Sequence, residues 1–238
     1  MSKLLLFFFV FYGARFVHAQ SAVQFGGALR NIMHQGDLSA KVAIDTIVQK
    51  AVYGLGAATG LQGEWVIWDG EAWHSRVENG RLFTEKTGTG TAALLVWSSM
   101  SSCFGRDTLL SFKSEADLQT AIIAFAQAVG VDTDEPFPFW LEGKAEIDWH
   151  VIDWPAGDSL HTHEKHKTAG LHGRRKLKAA RIIGFYSPKH AAIYTHHSTR
   201  LHMHLLDTRQ PLAAHIDGIR SKKIRLCIGS DQAEAVGP

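Results

Sequence analysis

Cysteine is nearly absent, with Cys103 and Cys227 the only two in 238 residues. They do not have metal-site spacing, and two residues cannot form the dense disulfide framework that staples small secreted domains. One bridge is permissible if the chain is exported, and two buried free thiols fit the sequence equally well. Long apolar runs are also missing. The run from Leu4 to Tyr12 is too short to span a bilayer. Excess charge is lacking: 25 Lys and Arg against 23 Asp and Glu leave a formal net charge of +2, which gives no argument for nucleic acid as a partner. Tyr53-Gly54-Leu55-Gly56 lacks a third glycine opening a helix, which removes the dinucleotide-binding fingerprint.

What is present begins with a leader. Met1-Ser2-Lys3 is a short basic start, Leu4 to Tyr12 an apolar core, and Val17-His18-Ala19 supplies small residues at cleavage spacing. Residues 1–19 therefore read as a signal peptide, with an exported chain beginning near Gln20 and no membrane contact after cleavage. Loss of Lys3 and Arg15 makes the mature chain near neutral.

The first half reads as fold. Phe25, Leu29, Ile32 and Met33 have helical spacing, with Gly36 at the C-terminal cap position. Lys41 to Lys50 reads as a second short helix or helical turn. A meander follows: Glu64 to Trp68, a turn at Asp69-Gly70, a return strand over Glu71 to Val77, a turn at Asn79-Gly80, and strands at Arg81 to Phe83 and Thr91 to Ser98. Ser114 caps a helix whose stripe is Leu118, Ile122, Phe125 and Val129. Pro136-Phe137-Pro138 marks the expected boundary between a domain over 20–135 and another over 136–238. Beyond it, Ala145, Ile147, Trp149 and Val151 alternate with Glu146, Asp148 and His150.

Histidine is abundant, fourteen in all and mostly after residue 149, which places the chemistry in the second half. The His- and Lys/Arg-rich segment from Asp158 to Lys178 reads as either a metal-binding or anion-steering loop or a solvated insertion, and its lack of an apolar period favours the insertion. Strand resumes at Arg181 to Tyr186. The segment from Thr199 to Asp217 reads as a hairpin around an Asp/Thr/Arg/Gln/Pro turn. His202 and His204 share a face, and a turn centred between Arg209 and Gln210 sets His215 opposite His204. Three imidazoles with a fourth position open describe a catalytic zinc site. The class is α/β in the broad, α+β sense, with a mostly antiparallel second half.

Gly184-Phe185-Tyr186-Ser187-Pro188, His202-Met203-His204 and His215 together resemble the alpha-acetolactate decarboxylases. In the first half Gly54-Leu55-Gly56, Leu61-Gln62-Gly63-Glu64 and Asp69-Gly70 match the same family. The resemblance implies a mixed sheet in the first half, able to pair across a homodimer, and a β-rich zinc domain in the second. It places the zinc ligands on His202, His204 and His215, and an active-site glutamate on Glu64. The implied reaction is decarboxylation of 2-acetolactate to acetoin, with the small molecule as the partner. The family arginine falls on Val151 or Ile152, depending on the side from which one counts. His150 is the nearest polar substitute, and Arg174, Arg175 or Arg181 are others. The family's C-terminal glutamate has only Glu234 to match it. His190, His196 and His197 are candidates to orient ligands or contact substrate, and read equally well as strand-end surface residues. The alternatives are a zinc enzyme with another substrate, or an exported zinc-binding protein without catalysis.

Overall fold

A computed structural model describes residues 19–195 and 199–231. Residues 1–18 of the expected leader over 1–19, His196, His197 and Glu234 lie outside the described residues. β1 (Ala19–Gln20) pairs with Ser230 and Asp231. β2 (Gln24–Gly26), α1 (Leu29–Gln35), β3 (Val42–Ala43), β4 (Val52–Ala58), β5 (Glu64–Trp68), β6 (Glu71–Glu78), β7 (Arg81–Lys86) and β8 (Thr91–Ser99) follow. The rest is β9 (Ser102–Phe112), α2 (Glu115–Ala128), β10 (Phe137–Ile152), α3 (His163–Thr168), β11 (Gly170–Tyr186), β12 (Leu201–Asp207) and β13 (Leu212–Asp231).

β2 to β8 form one sheet, in the order β2-β8-β4-β5-β6-β7 with β3 beside β8. Its central hairpins follow from their turns. Asp69-Gly70 and Asn79-Gly80 both hold positive φ at the two turn positions, which matches the twist of tightly joined antiparallel strands. Every pairing in this sheet is antiparallel. The mixed sheet expected here is thus corrected: the chain meanders from β4 to β7 by short turns, and β8 returns antiparallel against β4, β2 and β3. The α+β class stands.

The second sheet closes on itself. β10 pairs with β11 and β13, and β12 bridges β11 and β13, so four strands form a ring of pairings. One face, with Phe139, Leu141, Ile147, Ile182, Met203 and Leu205, joins the α2 stripe of Leu118, Ile122 and Ala126 in one core. The opposite face, with Ile183, Phe185, Leu206 and Ala213, packs on Leu55, Val66, Leu94 and Val96 of the first sheet. The candidate site lies in this second interface.

Several local expectations change. Phe25 pairs with Val96 in β2 instead of joining α1, because the left-handed Gly27 interrupts the helical period. Lys41 to Lys50 holds a strand pair at Val42–Ala43 and one 3-10 turn at Ile44–Thr46. β9 carries no clear strand pattern in sequence, yet pairs along β13. Cys103 and Cys227 form a disulfide between these two strands. Strand begins at Gly170, not Arg181, because β11 alternates exposed charged side chains with half-buried ones along β10. No described helix is long and apolar enough to cross a membrane.

Candidate metal centre

The centre is assembled by register. His204 lies directly opposite His215, and His215 directly opposite His150, so β12, β13 and β10 present three imidazoles in one row. His202, two residues before His204, shares their face. One ring nitrogen from each of His202, His204 and His215 falls within 4.8 Å of the others, and all three residues are buried. The expected hairpin triad is therefore brought together in space.

Hydrogen bonds aim the rings. His204 Nδ1 lies 3.0 Å from the Trp65 carbonyl and must donate to it, which leaves the Nε2 lone pair turned inward. That Nε2 lies 3.3 Å from His215 Nδ1. The separation is roughly the edge of a tetrahedron whose arms have zinc–nitrogen length, ~2.0–2.1 Å. The three imidazoles are a donor set that could hold a metal ion, and the His204–His215 pair has the spacing zinc requires. His150 is held differently: its Nδ1 donates to the Asp217 carboxylate at 2.9 Å, turning Nε2 toward Glu64. A carboxylate behind an imidazole fixes both tautomer and ring angle.

Glu64 enters from the first sheet. Gly63 has φ +110°, and a Cβ there would stand 2.0 Å from the Ser75 carbonyl, so only glycine lets β5 start at this point. Alternation along β5 then turns Glu64 and Val66 toward the second sheet. Glu64 is 4% exposed. Its carboxylate oxygens lie 3.8 Å from His204 Nε2 and 3.9 Å from His150 Nε2. Burial pushes its carboxyl well above the usual range and the Asp217 charge adds to this, against the Ile152 N–H that donates to it.

Above these groups is a cavity of about 350 Å³ with apolar walls from Leu29, Ile32, Leu61, Leu94 and Ile152. Tyr194 also lines it, its hydroxyl pushed up to about 12 by burial. The polar remainder includes Arg30, His163, His166 and Lys167. The two positions counted against the family arginine separate here. Val151 lies in the core on the far face, and Ile152 lines the cavity.

Other expected contributors are elsewhere. Arg174 is bound to Asp148, Arg175 to Asp207 and Gln210, and Arg181 lies by Glu142 and Trp68, so none lines the cavity. Each faces an acid of its own strand environment, which a count along the chain cannot reveal. His190 bonds Ser187 and stacks on Tyr194; it supports the wall without lining it. The supposed insertion is a correction of the opposite kind. Thr162 caps α3, and α3 carries His163, His166 and Lys167 to the cavity. The i, i+3, i+4 spacing of those three residues after a capping Thr was the available signal. Asp217, two residues past His215 on the same strand face, was equally readable.

No family model matches the chain, and no curated protein matches it in sequence. Solved structures do. A Staphylococcus aureus protein described as similar to alpha-acetolactate decarboxylase aligns at TM-score 0.67 and 18% identity, covering 88% of this chain and 86% of that one. The alpha-acetolactate decarboxylase of Bacillus subtilis strain 168 gives 0.66 and 13%, covering 88% and 85%. The enzyme of Bacillus subtilis subspecies spizizenii gives 0.68 and 14%, covering 88% and 86%. This chain has the alpha-acetolactate decarboxylase fold. Within the acetolactate decarboxylase fold, the buried histidines and Glu64 occupy the interface between the two sheets, at the floor of the cavity just described.

Proposed function

We propose that the protein is an exported, zinc-dependent carboxy-lyase that converts 2-acetolactate to acetoin and carbon dioxide. The observation that carries this reading is the convergence of His202, His204 and His215 beside Glu64, in a cavity sized for a small molecule, on this fold. His202, His204 and His215 would hold the zinc, which supplies Lewis-acid polarisation of the substrate ketone.

The chain's own residues do the rest. The apolar walls exclude water and receive the two methyl groups of the substrate. When the bond to the carboxylate breaks, its electron pair passes into the ketone and carbon dioxide leaves. A proton must then be delivered to carbon. Glu64 is the group placed to hold and deliver it, since its oxygens face the cluster and water has little access. His150, fixed by Asp217, lies against the other Glu64 oxygen and would orient that carboxyl.

Racemic 2-acetolactate given to zinc-loaded protein should yield acetoin, and chelator-stripped protein should yield none. Full zinc loading without acetoin would sink the lyase reading and favour a zinc enzyme with another substrate, or a zinc-binding protein.

A further inference from the structure

α3 is a fixed roof over the cavity. Its anchor is Trp154, 3% exposed, whose backbone N–H donates to the Leu61 carbonyl and whose own carbonyl accepts from Gln62. The Trp154 indole donates to the Asp158 carbonyl, stacks on His161 at 4.3 Å and meets the edge of His166 at 4.7 Å. His161 and His166 are hydrogen-bonded at 3.0 Å, and Lys165 is paired with Asp158 at 2.6 Å. The helix is thereby tied to the same segment that delivers Glu64.

The next lysine on this roof is differently placed. Lys167 is half-buried and borders both the large cavity and a neighbouring one of about 180 Å³, which also meets His202 and His215. Among the described residues its carboxylate influence is Glu115, whose charge it favours without a hydrogen bond between them. Glu115 and Asp217 line the smaller cavity and repel an anion there. Among the described residues lining the large cavity the one carboxylate is Glu64, and the permanent cations are Lys167 and the exposed Arg30. An ammonium held half out of water, facing Glu115 across the smaller cavity but hydrogen-bonded to no carboxylate, and bordering the larger one, can also meet an anionic ligand there.

We infer that Lys167 binds the carboxylate of the small hydroxy acid that occupies the large cavity. The identity of that acid rests on the lyase reading above; the charge contact does not. Trp154 and its partners already hold the α3 segment, so binding has only the Lys167 side chain to order.

The test is calorimetry on zinc-loaded protein with two inert probes. One is 2-hydroxy-2-methylpropanoate, and the other is the neutral 3-hydroxy-3-methylbutan-2-one. Lys167→Met should weaken the acid about 10- to 100-fold, the range expected for a lost charge-assisted hydrogen bond. It should leave the neutral ketone and the zinc content unchanged, and Lys167→Arg should retain most of the acid affinity. Unchanged acid binding in Lys167→Met would overturn the inference, as would an equal loss for both probes, which would make Lys167 a support for α3. A loss seen only in Arg30→Met would move the contact to α1 and overturn it too. If wild-type protein makes no acetoin but the acid-selective loss persists, the lyase reading fails and the Lys167 contact stands.

Discussion

Glu64 is buried against two histidines and within the field of Asp217, a setting that disfavours its charged form. An acid whose folded pKa is raised costs stability once pH passes its ordinary value, so metal-free protein carries that cost at neutral pH. Glu64→Gln removes it while keeping shape. The variant should therefore unfold at no lower a denaturant midpoint than wild type in the metal-free state. It should keep its zinc, because the carboxylate lies outside the three-imidazole set. Acetoin formation should fall by about 10²–10⁴-fold, the loss typical of a positioned acid or base. A rate within a few-fold of wild type would remove Glu64 from the chemistry and leave His150 as the neighbouring proton carrier. The histidine triad was legible in sequence because strand alternation and hairpin register are simple arithmetic. Asp217 and Lys167 were equally close in sequence to legible features, but their value depends on what each faces across the interface.

The local elements that place these residues are set by glycine and by capping. Gly63 begins β5 where a side chain would collide with the Ser75 backbone, and that start fixes which face Glu64 takes. Gly63→Ala should destabilise the protein by about 1–3 kcal/mol, measured by chemical denaturation, with a loss of turnover larger than its loss of fold. Unchanged stability and turnover would mean that β5 does not depend on this contact. Hairpins with Asp-Gly and Asn-Gly turns were readable because both central residues must accept positive φ. α2 was readable from Ser114, whose side chain accepts the Asp117 N–H, and from a stripe of buried residues. α3 was missed because its packing is carried by Trp154 and two histidines, not by aliphatic residues in a period.

At the scale of the molecule, the centre exists because two sheets meet. The histidines belong to one sheet, Glu64 to the other, and the Trp65 carbonyl that orients His204 crosses between them. Hydrophobic pattern gave the faces of the strands, while the closed ring of β10, β11, β12 and β13 depends on pairings far apart in sequence, which pattern does not encode. β9 joins the second sheet for the same reason, through long-range pairing to β13. The central claim is that three imidazoles from one hairpin hold one zinc at this interface. Elemental analysis of purified protein tests it most directly: wild type should carry one zinc per chain, and the His202→Ala/His204→Ala double variant close to none. Full zinc in the folded double variant, or none in wild type after zinc reconstitution, would contradict it.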